Sequence, residues 1–391
     1  MTGRHLKEFD DNVFLRLGGI LWRWEICAGC LGGNKCATDT CQARRLRKCQ
    51  RYFQFYQAIV VIYSESSERT QQAFITHEDL WNAIKLLQYN PDLTRAEFAQ
   101  KLLPGKSDTA ANRNLPDLLV ETTLVVKVLA MVDCSALHHS SDRLEKGGSR
   151  IHWKDDVPFA KYLQDIFPTG THPFLSYPDS SETGAIKSQL KATKLQKRLE
   201  ITFRATHDIR NHLRLYRKEN VLEIYHHAAF LKEQLRLTRS IDDQSSSAAS
   251  IDALPRQLVL EVLESLQGIL FPLSDRKSKR LLRRLVCTNG FDPEIMQFEF
   301  ASIRRAEEEN VRFVYLADRL AELYNESQNP QPRGWLQRRM ERRSGARYMM
   351  MATLIGVVCA VLLGIGSLVV SSYQTWIAYQ AWQHPVAQLG R

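Results

Sequence analysis

Cysteines near the N-terminus are the residues whose type and spacing most directly suggest chemistry. Five of the eight cysteines fall within 23 residues, in the pattern Cys27-x2-Cys30-x5-Cys36-x4-Cys41-x7-Cys49. Tetrahedral Zn²⁺ sites use four thiolates, and a CxxC pair supplies half of such a site. One interpretation is therefore a zinc site on Cys27, Cys30, Cys36 and Cys41, with no other cofactor expected. Because the second CxxC is missing, S-acylation, redox chemistry and ordinary thiols in an irregular segment remain alternatives.

Basic residues among these cysteines, such as Arg44 and Arg45, raise the question of nucleic-acid binding. The segment resembles the zinc-cluster regulators of fungi, which hold two metal ions with six cysteines. Here the sixth cysteine and the second CxxC are absent, so we expect no nucleic-acid partner. The formal net charge of +10 is better explained by where the arginines lie, as described below.

A second group of residues that could bind a ligand or act in catalysis consists of four histidines, His207, His212, His226 and His227. They lack the spacing of zinc proteases, which place two histidines four residues apart with a glutamate between them. The flanking sequence predicts a hairpin, and its open end would bring His212 and His226 close enough to share a ligand. The alternative is that these histidines form only local hydrogen bonds. If the protein is an enzyme, the candidate acid–base residues are His207, Asp208, His212, Glu223 and His226.

The elements that would position these residues are mostly helical. Residues 115–132 are apolar but contain three charges, which favours a buried core helix over a second membrane span. Residues 185–203 are predicted to form a basic helix. Leucine and isoleucine then alternate with polar residues on both sides of the turn at 217–220, which predicts the hairpin. The predicted fold class is mainly α with a small β-hairpin.

The segment Met349–Val370 contains 22 residues without a charge. At a helical rise of ~1.5 Å per residue it covers roughly 33 Å, which matches the ~30 Å hydrocarbon core of a bilayer. We predict one C-terminal transmembrane helix at 349–371. A helical cytosolic body, the part of the chain before the basic segment at 330–348, would be attached to it.

The flanks of this segment predict its orientation. Six arginines and one glutamate lie between Arg333 and Arg347, whereas Arg391 is the only formal charge after the span. Excess Lys and Arg stay on the cytosolic side, so the N-terminal part should be cytosolic and the layout tail-anchored. Anionic lipid headgroups are the expected partners of a basic patch formed by Arg338, Arg339, Arg342, Arg343 and Arg347. The endoplasmic reticulum and the plasma membrane both suit a span of this length.

Small residues recur at four-residue intervals within the predicted span, at Ala352, Gly356, Ala360 and Gly364. Such a stripe lets two helix backbones approach closely, so it would allow a homodimer. The alternative is that alanine and glycine are simply frequent in membrane spans.

Changes in composition divide the chain into seven predicted segments. These are a Cys-rich basic segment at 1–60, a mainly helical domain at 61–238, a linker at 239–251, a helical membrane-proximal unit at 252–329, the basic juxtamembrane segment at 330–348, the transmembrane helix at 349–371 and a short tail at 372–391.

Several stretches resemble one family of proteins. They are LPRQLVLEVLESLQGILFPLSD, RSGARYMMMATLIGVVCAVLLGIG, WIAYQAWQHP, DIRNHLRL and VLEIYHHAAFLKEQLRLT. These stretches are similar to a family of filamentous-fungal proteins with a single C-terminal transmembrane helix. The resemblance covers residues 115–386 and leaves out the cysteine-rich N-terminus. It implies a membrane protein and carries over no activity or site residue.

Together these patterns predict a single-pass membrane protein whose cytosolic body acts in protein interactions or as a scaffold. The first alternative is a membrane-held enzyme acting on a lipid or a secondary metabolite. The second is a membrane-tethered regulator that uses the Cys-rich basic N-terminus.

Overall fold

The computed structural model describes nine stretches of the chain, and the account below is limited to them. They are residues 5–25, 41–66, 73–102, 115–135, 152–170, 181–239, 254–299, 303–330 and 347–383. The chain forms two compact units, the body Met1–Pro330 and a C-terminal unit Gln331–Arg391.

The body is mainly α with one small sheet, as the sequence predicts. Its helices are α1 Asp11–Trp22, α2 Gln42–Lys48, α3 Gln50–Ser66, α4 His77–Tyr89, α5 Arg95–Lys101, α6 Leu115–Ala130, α7 Phe159–Ile166, α8 Ser181–Gln189, α9 Ala192–Leu199, α10 Ala228–Thr238, α11 Arg256–Glu264, α12 Arg276–Thr288 and α13 Ala317–Gln328. The strands are β1 Thr202–Thr206, β2 Arg214–Tyr216 and β3 Val221–Tyr225. Short 3₁₀ turns cover Ile209–Asn211, Pro293–Met296 and Ala306–Glu308, and a π-helical turn, Ser265–Leu270, continues α11.

The predicted hairpin is confirmed. Strands β2 and β3 pair antiparallel with Leu215 opposite Leu222. Asn220 closes the turn in the left-handed region, with φ 54°, a conformation that asparagine adopts more readily than most residues.

The sheet has a third strand that the sequence analysis missed. The single helix predicted at 185–203 is wrong, because α8 ends at Gln189, α9 ends at Leu199, and Glu200 takes a left-handed conformation with φ 53°. The chain then enters β1, which pairs with β3 in parallel, so that the strand order is β1-β3-β2. The fully paired β3 is therefore the central strand, and its five residues are all buried.

Helix α6 is a core helix, as predicted for residues 115–132. Val125, Val126 and Val128 are completely buried. Glu121, one of the charges within this helix, is buried too, and its Oε1 accepts a hydrogen bond of 3.2 Å from the Tyr63 hydroxyl. A charged group survives in the core here because it has a hydrogen-bonding partner.

A buried carboxylate organises the start of α13. The N-cap residue of this helix is Leu316, whose side chain makes no capping hydrogen bond. Glu261 of α11 caps the helix instead, because its carboxylate accepts the backbone N–H groups of Val314, Tyr315 and Leu316 at 2.7, 2.9 and 2.8 Å. Negative charge at a helix N-terminus is favourable, and three donors compensate the burial of Glu261.

A buried lysine joins α10 to the turn Pro293–Met296. The Lys232 ammonium is 1% exposed and donates to the carbonyl oxygens of Glu294 and Gln297 at 2.9 and 2.7 Å. It also contacts the Glu294 carboxylate at 3.2 Å. All three donor positions are thus used. The predicted linker at 239–251 lies, apart from Arg239, outside the described residues.

The C-terminal unit contains one long helix, α14 Arg347–Gln383. Its part from Thr353 to Gln383 is long and apolar enough to cross a membrane, an 18-residue window of it reaches a mean hydropathy of 2.6, and none of its residues is buried in the protein. The predicted apolar helix is therefore present, and it extends beyond the predicted end at residue 371.

Candidate metal centre

Three histidines meet at one end of the small sheet, immediately after two of its strands. In the parallel pair, Thr206 at the end of β1 lies opposite Tyr225 at the end of β3. The next residues, His207 and His226, therefore lie side by side at the same end of the sheet. His227 follows and is the N-cap residue of α10. The positions of all three are thus set by the strand register and by the start of a helix.

The three imidazoles are close enough to hold one ion. One ring nitrogen from each can be chosen so that all three lie within 4.8 Å of one another. Nδ1 of His207 and Nε2 of His227 share a hydrogen bond of 2.7 Å. The ring centroids of His226 and His227 are 4.1 Å apart, and that of His207 lies 5.2 and 5.0 Å from them.

Aromatic rings surround two sides of this histidine cluster, defined as His207, His226 and His227. Phe55 of α3 lies 5.0 Å from the His207 ring and 5.6 Å from the His227 ring. Phe291 lies 5.8 Å from the His226 ring. His226 and His227 are buried, at 2% and 1% exposure, whereas His207 is exposed. The cluster therefore has an apolar interior and one side open to solvent.

Burial keeps these histidines neutral. Desolvation, and to a lesser extent the interactions with His207 and Arg51, lowers the pKa of His226 to about 3. The pKa of His227 is lowered well below its usual value, first by burial and then by His226. His207 keeps one side open to solvent, and partial desolvation by the neighbouring rings lowers its pKa as well. Neutral imidazoles carry a free lone pair, which is the form that binds metal ions.

Two of the ring nitrogens have no hydrogen-bonding partner among the residues that the structure describes. They are Nδ1 of His226 and Nδ1 of His227, both buried. A buried polar atom without a partner is unfavourable, and such atoms in native proteins call for an explanation such as an ion or a bound water.

His212, which was expected to share a ligand with His226, is not part of the cluster. Its Nδ1 accepts the backbone N–H of Tyr225 at 3.2 Å, and its Nε2 donates to Ser265 Oγ at 2.6 Å. Ser265 Oγ donates in turn to the carbonyl of Val262 at 2.7 Å. Both ring nitrogens are therefore used within the protein, so His212 shares no ligand with His226 and instead forms the local hydrogen bonds of the alternative interpretation.

The other candidate acid–base residues, Asp208 and Glu223, also form hydrogen bonds and ion pairs with neighbouring residues. Asp208 binds the Arg210 guanidinium at 2.6 Å and caps the turn that follows it. Glu223 contacts the Tyr216 hydroxyl at 3.4 Å and Arg204 at 3.6 Å. The structure thus brings together only His207 and His226 from the predicted set.

The remaining predicted site residues lie partly or wholly outside the described part of the chain. Cys27, Cys30 and Cys36 lie outside it, whereas Cys41 is a buried thiol at the N-cap of α2. Arg338, Arg339, Arg342 and Arg343 lie outside it as well, as do the side chains of Arg347 and Ala352. Ala360 is exposed, and a Cβ added at Gly356 or Gly364 would meet nothing within 4 Å. The cysteine-zinc, basic-patch and helix-packing predictions remain predictions.

His227 is the residue whose role the sequence analysis missed, because β1 was read as the end of a helix. A signal was present: two short β-prone segments, 202–206 and 221–225, each end directly before a histidine.

No protein-family model, no curated protein and no solved structure matches the chain.

Proposed function

We propose that this protein is a single-pass, tail-anchored membrane protein whose body is held on the cytosolic side and acts there by binding other molecules. The observation that carries the proposal is the exposure of α14. Its apolar side chains project on all sides and none is buried in the protein between Thr353 and Gln383.

The magnitude of this exposure favours a membrane location. Eleven large aliphatic side chains between Leu354 and Val370 are exposed, Leu363 at 75%. Leu, Ile and Val each favour membrane insertion by about 0.3–0.6 kcal/mol at the helix centre, so eleven together favour it by about 3–7 kcal/mol. In water the same side chains would form a large apolar surface prone to association.

Aromatic residues support a defined position of the helix in the bilayer. Tyr373, Trp376, Tyr379 and Trp382 follow the aliphatic part and are all exposed. Tyr and Trp concentrate where the hydrocarbon meets the headgroups, so this last part of α14 would lie at the distal interface.

The orientation and the lipid preference follow from charge. The arginines between Arg333 and Arg347 precede the apolar part, and this charge bias supports a cytosolic location of the body. The body itself exposes a row of cations on α12, at Arg276, Lys277, Lys279, Arg280, Arg283 and Arg284. Both features suit an anionic cytoplasmic leaflet, at about 1 kcal/mol per basic residue near the surface.

A role in binding rather than catalysis is supported by the contacts of the candidate acid–base residues. His212, Asp208 and Glu223 are committed to hydrogen bonds that hold the sheet and its neighbours together. The predicted homodimer through the small-residue stripe remains part of the proposal as one mode of association.

The test is extraction and protease protection of the full chain carrying a tag at each end. Sodium carbonate should leave the protein in the membrane pellet, and protease added to sealed microsomes should remove only the N-terminal tag. A variant with Leu362→Arg and Leu363→Arg should become extractable, because the two changes oppose insertion by about 6–8 kcal/mol, which offsets the about 3–7 kcal/mol from the aliphatic side chains.

The matched control carries Leu362→Ile and Leu363→Ile, which preserve the hydropathy and should leave the protein in the pellet. Release of the unmodified chain by carbonate would refute the membrane anchor. Digestion of the C-terminal tag with protection of the N-terminal one would refute the orientation.

A further inference from the structure

We propose that His207, His226 and His227 bind a single divalent transition-metal ion of the zinc type, with a fourth coordination position open to solvent. This proposal does not depend on the membrane anchor, because all three residues lie in the body.

The geometry requires only small shifts to accept the ion. Zn–N bonds of ≈ 2.0–2.1 Å at tetrahedral angles place two ligating nitrogens about 3.3 Å apart. The 2.7 Å separation of His207 Nδ1 and His227 Nε2 is shorter than this, and the largest separation within the cluster is 4.8 Å. The ion would therefore replace the direct contact between the two imidazoles. His207 is the exposed member of the three, so its ring is the one whose movement displaces the fewest buried side chains.

The hydrogen bond between His207 and His227 does not by itself account for the cluster. It uses one nitrogen of each ring and leaves the buried Nδ1 atoms of His226 and His227 without a partner among the described residues. Each neutral imidazole carries one nitrogen lone pair, and the hydrogen bond between His207 and His227 occupies only one of the three lone pairs. A metal ion satisfies three of them together.

The donor set selects the class of metal. Imidazole nitrogens suit Zn²⁺, Cu²⁺, Ni²⁺ and Co²⁺, whereas Mg²⁺ and Ca²⁺ require oxygen ligands. No carboxylate oxygen belongs to the three-residue group found among the described residues.

The surroundings shape the fourth position. Phe55 and Phe291 pack on the histidine rings and restrict the approach of water, so the exposed face beside His207 is where a fourth ligand can enter. Three histidine ligands with one open position are the arrangement that activates a bound water in zinc enzymes. The positive charge of Arg51 acts on both His226 and His227 and would favour an anionic fourth ligand.

The experiment is a titration of the purified full-length protein in detergent micelles, stripped with a chelator, with Co²⁺ and then Zn²⁺. Cys27→Ser and Cys30→Ser are introduced throughout, so that the CxxC thiols cannot contribute. One equivalent of Co²⁺ should bind and give the visible absorption of a tetrahedral cobalt site. A thiolate-to-metal charge-transfer band should be absent, and Zn²⁺ should displace the Co²⁺.

The principal variant is His207→Ala, because this exposed residue can be removed with little effect on folding. We expect metal affinity to fall at least about 100-fold, since loss of even a supporting group beside a metal ligand costs 10–100-fold. His226→Gln should have the same effect, and His152→Ala, an exposed histidine outside the cluster, should bind like the parent. As a second readout, Zn²⁺ should raise the unfolding temperature of the parent and of His152→Ala but not that of His207→Ala.

Three outcomes would overturn the proposal. They are no stoichiometric binding by the parent, equal affinity in the parent and His207→Ala, and a cobalt spectrum with thiolate character that persists in both. Because membrane extraction is measured separately, failure here leaves the proposed anchor intact, and the reverse also holds.

Discussion

His212 should make the body sensitive to acid. Burial, together with the charge of Arg319, whose guanidinium donates to the His212 carbonyl at 2.6 Å, lowers its pKa to about 3. Protonation at Nδ1 would break the bond from the Tyr225 N–H and place an unpaired charge in the core. In the unfolded chain the same imidazole has a pKa of about 6.5.

The direction in which stability changes with pH follows from these two pKa values. The folded state holds the proton less tightly than the unfolded state, so the stability that His212 provides is present above about pH 6.5. It is lost as the pH falls toward 3. At pH 4.5, two pH units below the unfolded pKa, the loss is about 2–3 kcal/mol, since one unit corresponds to about 1.4 kcal/mol.

The assay is urea unfolding of the full chain in detergent micelles at pH 7.0 and pH 4.5, followed by tryptophan fluorescence. His212→Asn keeps an acceptor for the Tyr225 N–H and cannot be protonated. It should be less stable than the unmodified protein at pH 7.0, but its further loss between the two pH values should be smaller by about 2–3 kcal/mol. His152→Asn, at an exposed histidine, is the matched control and should follow the unmodified protein. If His212→Asn and the unmodified protein lose the same stability on acidification, the reasoning is refuted.

Two buried charges give further predictions, each measured by the same unfolding experiment at pH 7.0. Glu261→Ala leaves three backbone N–H groups at the start of α13 without their acceptor and should cost about 3–9 kcal/mol, at about 1–3 for each group. Glu261→Gln retains one acceptor oxygen and should cost clearly less; equal losses would contradict the capping role. Lys232→Met should cost about 3–5 kcal/mol, because it removes the cation that pairs with the buried Glu294 carboxylate. Lys161→Met, at an exposed i,i+4 pair, should change stability by less than about 0.5 kcal/mol, and a similar loss in both lysine variants would argue against a structural role of the buried ammonium.

Local sequence rules succeeded where one segment carries its own signal. The alternation of leucine and isoleucine around residues 217–220 predicted β2 and β3, and the charges within 115–132 marked a core helix. The same rules failed at β1, because five residues after a basic helix carry too little pattern to separate a strand from one more helical turn. Only the pairing of Thr202–Thr206 with β3 stabilises it as a strand.

The positions of the histidines along the sequence were a weaker guide to the candidate metal site. His212 and His226 looked like partners because a hairpin brings its open ends together. The side chain of His212 instead turns to Ser265, 53 residues further along the chain, while the parallel strand β1 brings His207 to His226 and His227. No spacing rule within a single segment describes such an arrangement.

The apolar helix near the C-terminus was determined by the sequence alone, because solvation by a bilayer depends on the length and composition of one continuous run. The meeting of three imidazoles was decided by the tertiary structure. It requires that two strands separated by a hairpin align in parallel and end at the same level, and that burial against Phe55 and Phe291 keeps the rings neutral. Those conditions depend on contacts between distant parts of the chain, and these contacts form only when the body folds.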